Sequence, residues 1–486
     1  MNGDNLIVLA TLVAYKLVLV GVGVWASRRN RTEGDFFLAS QGLGAWVAGL
    51  SYAASTSSAW VLLGFSGFVY ANGLSALWMV PGIWGGYVAV WLFFGRRLRA
   101  ETAERGHVTP TDFLTAGLAD RSRALIGILA SVFILFCFIF YIAAQFGAAA
   151  AAFETQFGLG ITESVLIGAA IVLLYSLLGG FWAVSVTDML QGALMAAVAV
   201  ALPVTALIAA GGFGGIADAL SATAPEGYLD ITGGQAGFVL IGFVLGVWGV
   251  GVNAMGQPQL ISRLMAVKDE GARMRGFTIA IVWAIAVFTG MTILGLAGRA
   301  IVGGAADGEA LFYTLADQLL PPVLAGLVIA AVLSAVMSTV DSILLSASAA
   351  VSHDMRLSRR FAGKEVLVSR IVMAVIAAVA VWMTLSLPAT IFARVLFAWS
   401  ALGAAFGPII VVRVLGLEPK AWAIGTAMCL GFGLTVFFNA LGAIGADSLS
   451  GVMAVLGDWA RAPGDPAERI LPWLPALAVL WWGSRR

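Results

Sequence analysis

Long apolar segments dominate this chain and decide what it can fold into. A helix needs about 20 apolar residues to cross the hydrocarbon core of a bilayer, which is about 30 Å thick. Such segments recur along the sequence, in which 60% of the residues are hydrophobic and only 11% are charged. A water-soluble protein could not cover so much apolar surface with so few polar side chains. We therefore predict an all-α protein of the lipid bilayer.

The apolar segments predict thirteen transmembrane helices in a single transmembrane domain, residues 1–486. Span 13 is the shortest of them and is interrupted by Pro472 and Pro475. Numbered in chain order, spans 1 to 13 cover residues 5–27, 42–69, 73–95, 123–153, 159–179, 182–211, 235–265, 273–298, 320–351, 366–388, 391–413, 420–442 and 467–484.

Basic residues predict the orientation of the chain, because Lys and Arg collect in cytoplasmic loops. With the N-terminus outside, 22 of the 27 basic residues, Arg263 among them, fall in inner loops or in the C-terminal tail. Three fall in outer loops, and Lys16 and Arg394 lie within spans. The sequence therefore predicts that the N-terminus is outside and the C-terminus inside.

Several functional classes find no support in the sequence. The net charge of +1 gives no electrostatic reason for a nucleic-acid partner. The two cysteines lie in apolar runs, and His107 and His353 stand alone without the spacing of metal ligands. We find neither a phosphate-binding loop nor a nucleophile motif in a workable context. We therefore expect no enzyme activity.

Spans 2 and 7 contain residues that are unusual in a continuous spanning helix. Residues 51–58 include five Ser and Thr residues, and residues 248–258 include three Gly residues with Asn253, Gln257 and Pro258. Interrupted helices in corresponding positions of two halves indicate a transporter binding site. Close packing through small residues is the alternative for either segment alone. The offset of five spans predicts a five-plus-five inverted repeat, about 42–211 and 235–413, with peripheral helices 5–27, 420–442 and 467–484.

Span 9 carries a polar stripe that indicates an ion pathway. Its members recur at helical spacing on one face: Ser334, Ser338, Asp341, Ser342 and Ser346. Carboxylates within spans are costly and mark ion paths. Span 6 offers a second acid, Asp188, for which a helix N-terminal acid is the alternative interpretation.

The oxygens available in these spans suit Na⁺. Alkali cations bind several oxygen ligands and no sulfur. Backbone carbonyls released at the break of span 2, together with neutral hydroxyls of span 9, supply such ligands without burying much net charge. We therefore expect Na⁺ between spans 2 and 9.

The sequence resembles the sodium:solute symporter family, and within it most closely the bacterial sodium/proline symporters. The resemblance runs from about Asp35 to Arg413. The segments that carry it are Asp35-Phe36-Phe37-Leu38-Ala39-Ser40, residues 179–188 (GGFWAVSVTD), Met337-Ser338-Thr339 and residues 398–408 (AWSALGAAFGP).

This resemblance implies a LeuT-type fold and a coupling Na⁺. By position, the Na⁺ ligands would be the carbonyl oxygens of Ala54 and Ser57 and the hydroxyls of Ser338 and Thr339. Some members bind a second cation, for which this chain offers Asp188, Asp341 and Ser342. The solute is expected around Ser58, Trp60 and Tyr141, with Trp248, Asn253 and Gln257 of span 7.

The implied function is Na⁺-coupled import of a small organic solute by alternating access. Proline or a similar amino acid is the first expectation, in a protein of the bacterial inner membrane that works as a monomer. Thr56 stands where the proline symporters carry an aspartate, and residues 252–255 replace a stretch that holds a tyrosine in the family. A monocarboxylate is therefore an alternative solute. A channel or a sensor is a more distant alternative.

Overall fold

The computed structural model describes residues 3–27, 33–176, 180–304, 307–357, 361, 364–387 and 390–484. Gly179 of the family motif lies outside these ranges, as do the basic residues Arg28, Arg29, Arg31, Arg359, Arg360, Arg485 and Arg486 of the orientation argument. Within the described residues, the one strand-like pairing is an isolated parallel bridge between Leu43 and Val267. The prediction of an all-α protein is confirmed.

The described residues form twenty-two α-helices, numbered here in chain order. They are α1 Gly3–Ser27, α2 Glu33–Leu38, α3 Ala45–Ala59, α4 Ser66–Asn72, α5 Met79–Val88, α6 Gly95–Arg105, α7 Pro110–Thr115, α8 Asp120–Phe157, α9 Ile161–Ser176, α10 Phe181–Ala209, α11 Gly212–Thr223, α12 Gly237–Asn253, α13 Pro258–Met265, α14 Glu270–Val302, α15 Leu311–Leu319, α16 Pro322–Ala349, α17 Glu365–Ser386, α18 Ile391–Val414, α19 Ala421–Ala443, α20 Val452–Ala460, α21 Pro466–Arg469 and α22 Trp473–Gly483. Short 3₁₀ or π segments cover Ala39–Gln41, Trp60–Phe65, Gly73–Trp78, Ala89–Phe94, Ala254–Gly256, Ala350–Asp354 and Ala446–Ser448.

Helix length and hydropathy confirm a multi-pass membrane protein. In the described part of the chain, nine helical stretches are long and apolar enough to cross a bilayer. One of them, Ala45–Arg105, covers most of predicted span 2 and all of span 3. Span 1 corresponds to α1, span 5 to the 16-residue helix α9, and span 13 to the 11-residue helix α22. The count of thirteen spans and the orientation therefore stay predictions.

Both predicted helix breaks are present. In α3, Ser58 has φ +46° and ψ −173°, and a π segment continues the chain from Trp60. In span 7, α12 ends at Asn253 and Gln257 is extended, with ψ 111°. Pro258 then begins α13. Proline restricts the residue before it to extended backbone and suits the first turn of a helix, which explains why the chain breaks there.

The broken segments lie at the centre of the helix bundle. Helix α3 packs against α10, α14 and α16, and α12 packs against α5 and α18. A β-carbon on Gly86 would lie 2.5 Å from the carbonyl oxygen of Gly251, so only glycine lets the α5 and α12 backbones approach this closely. The peripheral helix α1 packs on α16 and α10.

Candidate functional site

The polar residues of α3 and α16 face one another in the interior. Ser51, Ser55 and Ser57 are fully buried, as are Ser338 and Thr339 on the opposite helix. The hydroxyls of Ser55 and Ser342 lie 3.0 Å apart and join the two helices directly. The structure thus brings together the two segments that the sequence assigns to Na⁺ binding.

The hydrogen bonds of three candidate Na⁺ ligands show how much of their oxygen lone pairs is left for a cation. The carbonyl of Ser57 accepts a hydrogen bond from the Trp60 amide across the break. The hydroxyl of Ser338 donates to the Ala335 carbonyl at 3.1 Å, which leaves its lone pairs free for a cation. The buried Thr339 hydroxyl has no hydrogen-bond partner among the described residues. A buried polar atom of that kind is costly unless something binds it.

A narrow cavity lies beside both helix breaks. Its volume is about 20 Å³, roughly the room that one water molecule needs. Aromatic side chains form much of the wall. Because the volume is so small, an amino acid can enter only if the cavity widens. The lining residues are Thr56, Trp60, Ile83, Tyr87, Tyr141, Val250, Gly251, Ala254, Phe288, Val395, Leu396 and Trp399.

Aromatic rings pack against Trp60 of the cavity wall. The ring of Phe392 stacks on Trp60 with centroids 6.1 Å apart, and on Phe68 at 5.1 Å. The Glu309 carboxylate accepts hydrogen bonds from the Ile391 and Phe392 amides at 3.1 and 2.9 Å. Burial raises the pKa of Glu309, although these two bonds act in the opposite direction. The loop that carries Glu309 therefore holds the first turn of α18, and the following residues of this helix, Val395, Leu396 and Trp399, line the cavity.

A buried ion pair lies one helical turn from the candidate Na⁺ ligands. The Arg263 guanidinium donates to Asp188 Oδ2 at 2.7 Å, and both side chains are almost completely buried. It also donates to Ser51 Oγ at 2.7 Å and to Ser342 Oγ at 2.5 Å. Arg263 thus lies between Asp188 and Ser342, two of the residues predicted for a second cation.

The placement of Arg263 in an inner loop was wrong. This side chain is only 1% exposed. Its guanidinium also donates to the Gln259 carbonyl at 2.6 Å within α13. Because α13 is the second half of a broken span, it runs along the interior and carries the arginine with it.

A second polar cluster lies where α7 meets the end of α16. His353 Nε2 lies 3.2 Å from Asp112 Oδ2. The side chains of Asp112, His353 and Asp354 place their ligand atoms within 4.8 Å of one another. The sequence suggested that His353 stands alone, but the structure places it beside two carboxylates. The Asp112 carboxylate also accepts from the Val108 and Thr109 amides, at 2.9 and 3.2 Å, and so caps α7.

The groups around Asp112 stabilise its ionised carboxylate. Burial alone raises its pKa, but hydrogen bonds and charge from His353, the Val108 amide and Arg123 outweigh burial and lower the pKa well below its ordinary value. Through these bonds the cluster links α7 to α8 and to the residues that follow α16.

Comparisons with known proteins decide the family. The model of the sodium:solute symporter family matches residues 36–417. The osmoregulated proline transporter OpuE of Bacillus subtilis is 32% identical over 433 residues, 87% of each chain. The sodium/proline symporter of Escherichia coli is 32% identical over 414 residues, 82% of this chain and 81% of the relative. The chain belongs to the sodium:solute symporter family.

Solved structures show the fold of this symporter. A Na⁺-coupled sialic acid symporter superposes with a TM-score of 0.72 at 18% identity, covering 96% of this chain and 97% of that one. MhsT in complex with L-phenylalanine superposes with a TM-score of 0.53 at 13% identity, covering 91% and 99%. These similarities support the LeuT-type fold that the resemblance implied.

The solute residues predicted from the sequence divide into two groups. Trp60 and Tyr141 line the cavity of the symporter. Ser58 lies at the break of α3, where its hydroxyl accepts from the Trp60 amide at 3.1 Å. Trp248, by contrast, is 38% exposed and does not line the cavity.

Asn253 and Gln257 also lie outside the cavity lining, because other parts of the protein take up their hydrogen bonds. Asn253 donates to the Arg469 carbonyl at 3.1 Å and accepts from the Trp473 indole at 2.7 Å. Gln257 donates to the carbonyls of Trp399 and Asn253 at 2.8 and 3.0 Å. Gln257 therefore holds the break between α12 and α13 against α18, and Asn253 holds it against α21 and α22.

Several lining residues were missed by the sequence analysis. Tyr87, Phe288 and Trp399 come from helices far apart in sequence, and nothing local marks their inward direction. Trp399 had one usable signal, because it lies in the motif of residues 398–408. Its indole donates to the Val250 carbonyl at 2.8 Å, which ties α18 to the end of α12.

Proposed function

We propose that this symporter imports proline, or a closely similar zwitterionic amino acid, together with Na⁺ by alternating access. The single observation that carries the proposal is the aromatic cavity beside the two helix breaks, with Thr56 of α3 in its wall. Both bacterial relatives are named for the transport of proline.

The cavity wall fits a small ring with balanced charge. Aromatic faces such as Trp60 and Tyr141 pack well on an apolar ring. The Trp60 indole N–H is buried without an acceptor among the described residues, so it can donate to a solute carboxylate. No Lys or Arg occurs among the described lining residues. A zwitterion, which balances its own charge, is therefore favoured over a free monocarboxylate.

Cation and solute would share one turn of the chain. The proposed ligands Ala54 and Ser57 belong to the helical turn before the break at Ser58, and Thr56 of the same turn lines the cavity. Na⁺ bound between this turn and α16 would fix the position of Thr56 and of the following Trp60. Such coupling is reciprocal, so the solute must strengthen Na⁺ binding by the same factor that Na⁺ strengthens solute binding.

One Na⁺ per solute supplies enough free energy for accumulation. A tenfold Na⁺ gradient contributes about 1.4 kcal/mol. A membrane potential of about 100 mV contributes about 2.3 kcal/mol per charge. Together these would concentrate a neutral or zwitterionic solute roughly several hundredfold, at a factor of ten for about 1.4 kcal/mol.

Competition in proteoliposomes tests the choice of solute. Uptake of radiolabelled proline would be measured under a Na⁺ gradient, with unlabelled amino acids and short monocarboxylates added in excess. We expect unlabelled proline to abolish the signal and monocarboxylates to leave it unchanged. Absence of proline uptake, combined with Na⁺-driven uptake of a labelled monocarboxylate, would overturn the assignment to proline.

A further inference from the structure

Helix α5 places a tyrosine, Tyr87, in the wall of the aromatic cavity. Its side chain is 1% exposed, and its hydroxyl has no hydrogen-bond partner among the described residues. A buried hydroxyl in that situation is costly unless something binds it. None of the solute residues expected from the sequence lies on α5, so Tyr87 is a further candidate for contact with the solute.

The polar side chains of the cavity wall divide into those that the protein already engages and those that it leaves free. The Thr56 hydroxyl donates to the Tyr52 carbonyl at 2.7 Å. The Trp399 indole donates to the Val250 carbonyl at 2.8 Å. Three donors of the wall have no hydrogen-bond partner among the described residues: the Trp60 indole N–H and the hydroxyls of Tyr87 and Tyr141.

These free donors gather around the break of α3. Hydroxyls of Thr56 and Ser57 approach the Tyr87 hydroxyl, and the Ser58 hydroxyl approaches that of Tyr141, without completing a hydrogen bond to either phenol. The Trp60 indole follows directly after the break. The donors therefore surround the short stretch of chain that joins the proposed cation site to the cavity.

Tight packing fixes the position of Tyr87 before a solute arrives. Its neighbour Gly86 lies so close to α12 that a β-carbon there would be 2.5 Å from the Gly251 carbonyl oxygen. The Tyr87 ring packs edge to face on Tyr52, with centroids 5.2 Å apart. Little conformational entropy is lost when a side chain held in this way binds a ligand.

A carboxylate is the chemical group that suits these donors. An ionised carboxylate only accepts hydrogen bonds, on two oxygens with about four lone-pair positions. An ammonium only donates, so it cannot engage the Trp60 indole N–H. The described residues of the wall include no Lys, Arg, Asp or Glu. Neutral donors must therefore hold the carboxylate, and each bond is strengthened because the acceptor is charged.

We propose that Tyr87 is a specificity residue of this symporter, whose hydroxyl donates to the solute carboxylate beside the Trp60 indole and the Tyr141 hydroxyl. The inference rests on the proposed function for the role of the cavity as the solute site. It adds the group by which the solute is recognised. On this proposal the symporter selects a carboxylate on a small apolar body and discriminates against the uncharged amide of the same shape.

The affinities of proline and prolinamide for the purified protein test this assignment. Prolinamide keeps the ring and replaces the carboxylate by a neutral amide. Both affinities would be measured in saturating Na⁺ by displacement of radiolabelled proline. In Tyr87→Phe, which keeps the ring and its packing on Tyr52, we expect the proline affinity to fall about tenfold or more, since a hydrogen bond to a charged group is lost. The prolinamide affinity should fall clearly less, so the preference for proline should narrow.

Tyr52→Phe is the matched control. Tyr52 is fully buried, and its hydroxyl also lacks a hydrogen-bond partner among the described residues, but this side chain does not line the cavity. We expect wild-type affinities for both ligands in Tyr52→Phe. Binding of radioactive sodium without solute should be unchanged in either variant, because the proposed Na⁺ ligands are intact.

Three results would overturn the proposal: equal affinities of the wild type for proline and prolinamide, a wild-type proline affinity in Tyr87→Phe, or equal losses for the two ligands. The last of these would indicate a purely structural role for Tyr87. A wild type that binds no proline would reject the proposed function. Radiolabelled lactate and unlabelled lactamide would then replace the pair, and lactate binding unaffected by Tyr87→Phe would overturn the present inference as well.

Discussion

The Arg263 guanidinium and the Asp188 carboxylate form an ion pair at 2.7 Å, with exposed fractions of 1% and 0%. The pair joins α13 to α10, and the same guanidinium reaches α3 through Ser51 and α16 through Ser342. It therefore fixes the second half of the broken span against the helices that carry the proposed Na⁺ ligands.

Removal of the arginine should destabilise the protein. In Arg263→Met, Asp188 is left buried without its partner, and breaking a buried pair in this way costs about 3–5 kcal/mol. Thermal unfolding in detergent, followed by tryptophan fluorescence, should show a lowered midpoint. The double variant Arg263→Met/Asp188→Leu should recover most of that loss, and Arg275→Met, at an exposed position, should lose almost nothing. A double variant as unstable as the single one would contradict this account of the pair.

Loss of the α16 hydroxyls should weaken Na⁺ binding. In Ser338→Ala/Thr339→Ala, two of the four proposed oxygen ligands are gone. We expect the Na⁺ concentration for half-maximal uptake to rise at least about tenfold, which corresponds to about 1.4 kcal/mol. Ser348→Ala is the matched control, since this buried serine lies on the same helix and donates to the Leu345 carbonyl. An unchanged Na⁺ dependence in the double variant would dismiss the site.

Truncation of Trp60 should weaken solute binding more than Na⁺ binding. The side chain lines the cavity and stacks on Phe392. Trp60→Ala therefore removes part of the cavity wall and the ring on which Phe392 packs. We expect the solute affinity, measured by calorimetry in saturating Na⁺, to fall about tenfold or more, equivalent to about 1.4 kcal/mol. Trp248→Ala, outside the cavity, is the control. If Trp60→Ala lowered the Na⁺ affinity and left the solute affinity unchanged, the proposed position of the solute pocket would be wrong.

Asp112 should make stability depend on pH. Its pKa in the folded protein lies below its ordinary value, despite the opposing effect of burial. A depressed pKa stabilises the fold above the unfolded-state pKa, and this stabilisation is lost as the pH falls through that value, about 3.9, towards the lower folded-state pKa. Asp112→Asn should therefore lower the unfolding midpoint at pH 7, and the difference from the wild type should shrink as the solution is acidified. A difference that is constant with pH would contradict this role.

The sequence could predict the features that arise locally. Breaks at Ser58 and Gln257 follow from hydroxyl-rich and Gly/Pro-containing stretches, whose effect on backbone conformation is short-ranged. The alignment of Ser55 with Ser342 follows from the polar stripe of span 9. These patterns identified the two helices that face one another.

Contacts between distant segments could not be predicted in the same way. Arg263 looks like a loop residue, because its burial depends on where α13 packs after the break. Asn253 and Gln257 have the chemistry of solute ligands, yet two of the residues that bind them, Trp473 and Trp399, lie more than 140 residues away in the sequence. Polarity marks a residue as important, but only the packing shows whether it faces the solute or another helix.

Accumulation of proline in proteoliposomes under different ion gradients tests the central claim most directly. With a tenfold inward Na⁺ gradient and a membrane potential of about 100 mV, inside negative, the account predicts accumulation of roughly several hundredfold. Replacement of Na⁺ by choline should abolish it while the potential is kept. Equal accumulation in choline would contradict the claim that Na⁺ bound between α3 and α16 drives the solute.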